Sequence, residues 1–213
     1  MNATDVLGGH RIVPVVVLDD PAKADALGAA LVQGGLPVAE ATFRTPGAAA
    51  VLRRLAERDD LVVGAGTVLT DRQVDEAIEA GAKFVVSPGL SAAVVRRCQE
   101  AGVPVVPGIS TPSEIMAALD LGLDTVKFFP AEANGGLATI KALAAAFPQV
   151  RFMPTGGITL DSAPAYLAHP SVAAVGGSWM VAGDLLAADR WDEVAARCSA
   201  STALYDALQG APA

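Results

Sequence analysis

One of the four lysines in this chain stands where chemistry is expected. Lys127 lies in the run TVKFFP at 125–130, which reads as a buried strand, and alternation turns it inward if Phe128 packs outward. Burial disfavours a charged amine, and a neutral amine is the nucleophile that Schiff-base chemistry with ketones requires. A purely structural buried ion pair is the alternative. Lys23 and Lys141 fall on predicted helices and are expected to be solvated.

A second predicted strand, VAEATF at 38–43, supplies the candidate partner. Strand alternation groups Glu40, Thr42 and Arg44 on one face. Glu40 is suited to acid–base work beside Lys127, and Arg44 at the strand end could hold a carboxylate with two hydrogen bonds. A structural ion pair is again the alternative.

The last two predicted strands end in glycines, in PTGG at 154–157 and GGS at 176–178. Backbone N–H groups at these two turns, with a short helix beginning near Ser178, could bind a phosphate. The histidines and cysteines are too far apart in sequence for a metal-ligand motif, so no metal and no cofactor is expected. Neither a nucleophile elbow nor a P-loop occurs.

Eight β-branched runs alternate with helical stretches and would position these residues. The predicted strands are 11–18, 38–43, 62–69, 84–88, 103–108, 125–130, 151–157 and 172–178. The predicted helices include 45–57, 71–80, 91–101, 111–121, 136–147 and 161–168. Apolar strands separated by helices indicate a parallel sheet that is buried on both faces.

The spacing predicts an α/β fold, a (β/α)8 TIM barrel in a single domain over 1–213. Residues 1–10 would form a lead-in with a short N-terminal helix, 11–208 the barrel, and 209–213 a fraying tail. A doubly wound open sheet is the competing architecture, but the first strand lacks the glycine-rich phosphate turn that such folds carry there.

Composition excludes several classes of function. The chain has 213 residues, 15 basic and 23 acidic side chains and a formal net charge of −8, which argues against nucleic acid as a partner. Mean hydropathy is +0.43, yet no apolar stretch approaches the roughly 20 residues that span a bilayer, so no membrane partner is expected. No secretory signal is recognisable, which favours a cytoplasmic protein.

The chain resembles the 2-keto-3-deoxy-6-phosphogluconate (KDPG) and 4-hydroxy-2-oxoglutarate (KHG) aldolases, which are class I enzymes. The resemblance rests on motifs in a fixed order over most of the chain. They are VPVV at 13–16, EATFRT at 40–45, GAGTVL at 64–69, SPG at 87–89, PGIST at 107–111, KFFPAEANGG at 127–136, PTGGI at 154–158 and GGSW at 176–179.

Membership would make Lys127 the Schiff-base lysine and Glu40 the proton shuttle. It implies that Arg44 and Thr67 bind the pyruvate carboxylate. It also implies a distal site for the hydroxyls and phosphate of the substrate, with the charge of Arg11 near the phosphate. The remaining implied substrate-binding residues are Pro88 and Phe129 at the pocket wall, and Thr155, Gly156, Gly157, Gly177 and Ser178 at the distal end.

The implied reaction is the reversible cleavage of KDPG to pyruvate and glyceraldehyde 3-phosphate, in a homotrimer. Cleavage of 4-hydroxy-2-oxoglutarate, or of the galactonate epimer of KDPG, is an enzyme alternative, and Thr155 leans toward the gluconate type. A ligand-binding barrel without lysine chemistry is the non-enzyme alternative.

Overall fold

The protein is built on parallel strands. The computed structural model describes residue 6 and residues 9–210, without the side chains of 206 and 208–210. The strands are β1 (Ile12–Val16), β2 (Val38–Thr42), β3 (Val62–Gly66), β4 (Val85–Val86), β5 (Val105–Val106), β6 (Gly108–Ile109), β7 (Thr125–Phe128), β8 (Arg151–Phe152) and β9 (Val175–Gly177). Each lies within a predicted strand or, for β6, overruns its end by one residue. Several observed strands stop before a proline that the prediction included, such as Pro88, Pro130 or Pro154, because proline cannot donate a ladder hydrogen bond.

Helices follow the strands along the chain. They are α1 (Ala24–Gln33), α2 (Ala48–Ala56), α3 (Asp71–Glu79), α4 (Ala92–Glu100), α5 (Pro112–Asp120), α6 (Gly136–Ala146), α7 (Ala163–Leu167), α8 (Gly183–Ala187) and α9 (Trp191–Gly210). Thr70, Ser91 and Thr111 accept the N-terminal amide hydrogens of α3, α4 and α5, so these three predicted helix starts are confirmed. α9 continues to Gly210, beyond the expected end of the fold at 208.

The strands form curled parallel sheets. Six are hydrogen-bonded in the order β5-β4-β3-β2-β1-β9, and three in the order β6-β7-β8. Pro107 separates β5 from β6, and an isolated parallel bridge joins Thr155 to Gly176. The register places Glu40 of β2 opposite Val15 of β1 on one side and Gly64 of β3 on the other.

Two hydrophobic clusters show how the sheet is filled. The larger one joins strand residues to helix residues such as Leu52 and Val94. The smaller one consists of residues in or beside the strands, namely Val13, Val38, Phe84, Val86, Val106, Met153 and Ala174, with Val6 packed against it. The lead-in helix predicted within residues 1–10 falls mostly outside the described residues. No helix of the described part is long and apolar enough to cross a membrane.

Lys23 does not have the solvated surroundings that we predicted. Its Nζ lies 2.8 Å from Asp189 Oδ1 and donates hydrogen bonds to the carbonyl oxygens of Leu186 and Ala187, at 3.0 and 3.1 Å. The ammonium therefore binds the C-terminal end of α8, where free carbonyls attract a cation. Lys141 is exposed as expected.

Both thiols should be unreactive in the folded protein. Burial raises the pKa of Cys98 and of Cys198 from 9.0 to about 12, although Arg97 lowers that of Cys98. We expect iodoacetamide at about pH 8 to modify neither cysteine in buffer and both in urea, as read by mass spectrometry. Since folding raises these pKa values, their contribution to stability persists below about pH 9 and is lost as the pH rises toward 12. Equal labelling rates in the folded and unfolded protein would contradict this prediction.

Candidate active site

A buried lysine–carboxylate pair lies at the centre of the site. Lys127 Nζ on β7 donates hydrogen bonds to both carboxylate oxygens of Glu40 on β2, at 3.1 and 3.4 Å. The two side chains are only 2% and 0% exposed. Both point to the inner side of the curled sheet as strand alternation predicted, and the expected proximity of the two residues is confirmed.

Glycines on the neighbouring strand make room for this pair. Gly64 and Gly66 lie opposite Glu40 and Thr42 in the β2–β3 register. A Cβ atom at Gly66 would lie 2.1 Å from Glu40 Oε1, and one at Gly64 would lie within 2.4 Å of the Phe84 ring. Gly66 therefore leaves the space in which the carboxylate turns toward Lys127, and Gly64 leaves the space that the Phe84 ring fills.

Phe129 covers the amine. The centre of its ring lies 5.3 Å from Lys127 Nζ, within the range of a cation–π contact. Its backbone carbonyl accepts a hydrogen bond from Ser110 Oγ at 2.8 Å, and Asn134 Nδ2 donates to the same Ser110 oxygen at 3.0 Å. These two hydrogen bonds hold the segment that follows β7 in place beside Lys127.

A second polar pair lies just beyond the carboxyl ends of β2 and β3. Arg44 Nε donates to Thr67 Oγ1 at 3.0 Å, so the two residues expected to share one ligand are in contact. Thr67 has φ +57°, a left-handed conformation that a β-branched residue rarely adopts. Strained backbone of this kind is concentrated at ligand sites, and here it directs the hydroxyl toward the exposed guanidinium of Arg44.

A pocket of about 180 Å³ opens beside these residues. Its lining consists of Val15, Val17, Arg44, Phe129, Thr155, Gly156, Gly157, Ile158, Gly176, Gly177 and Ser178. Thr155 is 5% exposed, and its Oγ1 has no hydrogen-bond partner among the described residues. A buried hydroxyl without a partner is costly, and this one is available to a ligand.

Two glycine turns shape the far side of the pocket. Gly156 and Gly157 have φ values of +101° and +81°, which side chains with a Cβ rarely adopt. A Cβ at Gly177 would lie 1.8 Å from the Trp179 ring, whose Nε1 donates to the buried Ser201 at 3.0 Å. The exposed Ser178 follows directly, so both predicted turns border one pocket.

Arg11 is not where a phosphate contact would require it. It precedes β1, at the opposite end of the strands from the glycine turns, and its guanidinium donates to the carbonyls of Leu167, Val172 and Ala173. The larger cavity of about 520 Å³ lies at that end, beside Arg11 and Arg151. Its position at the starts of the strands separates it from Lys127.

Pro88 is the last of the predicted site residues, and three residues that were not predicted also support the site. Pro88 follows β4 and is half-buried, and its carbonyl would lie 2.2 Å from a Cβ at Gly108. Sequence reasoning missed Ser110, Asn134 and Ser201 as supports of the site. Their signal in the sequence is weak, because each acts through a partner on another element. Among the described residues, no group of three or more His, Cys, Asp and Glu side chains could hold a metal ion.

A parallel α/β fold with a buried amine, a carboxylate and a pocket at the ends of its strands is the arrangement that a lysine-dependent aldolase requires. The family described as "Aldolase: KDPG and KHG aldolase" matches residues 4–197. The chain belongs to this family. A protein of Haemophilus influenzae named 2-dehydro-3-deoxy-phosphogluconate aldolase is 47% identical over 185 residues, which are 86% of this chain and 87% of that protein.

Solved structures agree with this assignment. The KDPG aldolase of Legionella pneumophila, with pyruvate captured at low pH as a covalent carbinolamine intermediate, has a TM-score of 0.91 and 38% identity over 94% of this chain and 98% of that one. The 2-keto-3-deoxy-6-phosphogluconate aldolase of Zymomonas mobilis, with 3-phosphoglycerate, has a TM-score of 0.88 and 43% identity over 95% and 96%.

Replacing one member of the buried Lys127–Glu40 pair should lower stability more than replacing both members. Lys127→Met leaves the Glu40 carboxylate without a partner, and we expect the free energy of unfolding in urea to fall by about 3–5 kcal/mol. Adding Glu40→Gln should recover most of that loss, because no buried charge is then unpaired. The control Lys83→Met changes an exposed lysine and should shift stability by less than about 0.5 kcal/mol. Equal stability of the single and double variants would contradict the prediction.

Proposed function

We propose that the protein cleaves KDPG reversibly to pyruvate and glyceraldehyde 3-phosphate through a Schiff base on Lys127. The observation that carries the proposal is the buried contact between Lys127 Nζ and Glu40. The names of the relatives support the choice of substrate, and the pyruvate carbinolamine reported for the Legionella pneumophila enzyme supports the chemistry.

Glu40 is proposed as the proton shuttle because it is the carboxylate that touches the amine. It takes a proton from Lys127, and the neutral amine adds to the C2 ketone to give a carbinolamine. Loss of water, which Glu40 assists as an acid, leaves an iminium. Glu40, through a water molecule, then removes the C4 hydroxyl proton, the C3–C4 bond breaks, and its electron pair moves into the iminium.

Glyceraldehyde 3-phosphate leaves at this point, and the lysine carries an enamine of pyruvate. Protonation at C3 and addition of water release pyruvate and regenerate the amine. The iminium is the electron sink, so we propose that no metal and no organic cofactor is required.

Each end of the substrate has its proposed binding residues. Arg44 and Thr67 hold the pyruvate carboxylate, because a guanidinium beside a hydroxyl matches its two oxygens. Pro88 and Phe129 form the wall around the reacting carbons. The distal hydroxyls and phosphate are bound by Thr155, Gly156, Gly157, Gly177 and Ser178, which share the pocket lining.

The finer architecture is also proposed. We infer that the sheets close as a single-domain (β/α)8 barrel, since β5 and β6 flank one proline and the Thr155–Gly176 bridge links the two sheets. A homotrimer, as the family resemblance implies, would cover exposed apolar side chains such as Leu69 or Met116. We also propose that the protein is cytoplasmic, because free cysteines such as Cys98 and Cys198 are typical of a reducing compartment.

4-Hydroxy-2-oxoglutarate is the second candidate substrate, because the family description also names KHG aldolase. It shares the pyruvate half of KDPG and would use Lys127, Glu40 and Arg44 in the same way. The Thr155 hydroxyl favours KDPG, since it offers a hydrogen bond to a longer polyhydroxylated chain.

Reductive trapping tests the proposed chemistry. Pyruvate with borohydride should attach one reduced pyruvate to Lys127, as located by peptide mass spectrometry, and Lys127→Ala should abolish the adduct. Lys83→Ala serves as the matched lysine control and should be labelled like the wild type. Dialysis against EDTA should leave both trapping and turnover unchanged. A wild-type protein that remains unmodified would overturn the proposal.

Thr155 gives a test of substrate preference. Thr155→Val removes a buried hydroxyl that has no partner in the part of the chain that the structure describes, so we expect the free energy of unfolding to rise by about 1 kcal/mol. We expect kcat/KM for KDPG to fall about tenfold, because the substrate loses that hydrogen bond. Activity on 4-hydroxy-2-oxoglutarate and on the galactonate epimer should be measured with the same variant.

Thr125→Val is the matched control for this test. The Thr125 hydroxyl donates to Asp124 at 3.0 Å, at the other end of the strands, so its loss should lower stability and leave kcat/KM unchanged. A Thr155→Val variant with unchanged activity on KDPG would remove Thr155 from the proposed binding residues. A wild-type preference for either of the other substrates would overturn the assignment to KDPG.

A further inference from the structure

Two neighbouring loops carry the opposite ends of the proposed site. The loop after β7 begins beside Lys127, and the turn after β8 contains Gly156 and Gly157. Backbone hydrogen bonds link them, from Ala131 N to Thr155 O at 2.8 Å and from Glu132 N to Gly156 O at 3.1 Å. A substrate bound covalently at one end and by its phosphate at the other depends on the spacing of these loops.

The Glu132 side chain packs directly on the second loop. A Cβ atom at Gly157 would lie 2.7 Å from Glu132 Cβ and 2.8 Å from its Cγ, so the turn approaches the stem of Glu132 as closely as glycine allows. The Glu132 carboxylate accepts a hydrogen bond from Tyr166 Oη at 2.5 Å. Tyr166 lies on α7, the helix that follows the glycine turn.

Tyr166 is placed to hold this contact firmly. It is 3% exposed, and a Cβ at Gly136 would lie 2.8 Å from its Oη, so α6 also begins against the hydroxyl. Burial, together with the Glu132 carboxylate, raises the pKa of Tyr166, so the phenol keeps its proton and remains a donor into the alkaline range.

We propose that Glu132 and Tyr166 are positioning residues that set the distance between Lys127 and the phosphate-binding turn. Neither residue lines the pocket, and neither touches the reacting atoms. The proposal rests on the proposed function, because it assigns the spacing of the loops to recognition of a phosphorylated substrate. It predicts that the pair matters for the long substrate and not for pyruvate alone.

The experiment compares one substrate that spans both loops with one that reaches only the first. Steady-state cleavage of KDPG reports on the spanning substrate. Exchange of the pyruvate methyl protons in D2O, followed by NMR, reports on Lys127 and Glu40 without the phosphate end. The variants are Tyr166→Phe, Glu132→Ala and Glu132→Gln, with Glu79→Ala as the control at an exposed carboxylate at the end of α3.

We expect Tyr166→Phe and Glu132→Ala each to lower kcat/KM for KDPG by about 10- to 100-fold, mainly through KM, because a small displacement of a positioned group costs this much. Pyruvate exchange should match the wild type in both. Glu132→Gln keeps an oxygen acceptor for the phenol and should restore most of the activity. The double variant Glu132→Ala/Tyr166→Phe should be no worse than the poorer single variant.

Three results would overturn the proposal: equal losses in KDPG cleavage and pyruvate exchange, no loss in either, or a Glu132→Gln variant as poor as Glu132→Ala. Glu132 is an exposed residue, so its variants test the idea even if Tyr166→Phe lowers thermal stability. Failure of the proposed function is distinguishable, because the wild-type protein itself would then cleave no KDPG, whatever its rate of pyruvate exchange.

Discussion

The buried, hydrogen-bonded pair of Lys127 and Glu40 determines how the strands around the site must be arranged. Taking two charges out of water costs several kcal/mol per ion, and their attraction repays that cost only when the geometry is good. Both side chains are almost fully buried, so neither can be satisfied by solvent. The strands must therefore hold Nζ and the carboxylate within 3.4 Å of each other.

Glycine provides the space that this arrangement requires. Gly66 leaves the volume that the Glu40 carboxylate fills, and Gly177 leaves the face on which Trp179 lies. Gly157 does the same for the stem of Glu132. At these positions a methyl group would meet an atom within 3 Å, so the glycines follow from close approach as much as from backbone conformation.

The site combines rigid strands with loops that are joined to one another by hydrogen bonds. Lys127 and Glu40 stand on strands, where pairing fixes their orientation. Gly156 and Gly157 lie just beyond β8 and Gly177 ends β9, so these glycines lie at the carboxyl ends of the strands, where the backbone can surround a ligand. The side-chain hydrogen bond from Tyr166 to Glu132 adds to the backbone hydrogen bonds that join the two loops of the site.

The sequence alone determined the order of strands and helices and the inward direction of Lys127 and Glu40, because a period of two along a strand is a local property. It gave no indication of the partners of Lys23, of the carbonyl contacts that hold Arg11 at the far end of the strands, or of the contact between Glu132 and Tyr166, which are 34 residues apart in sequence. The physical reason is that such contacts depend on how loops meet in space, which no periodicity along the chain encodes.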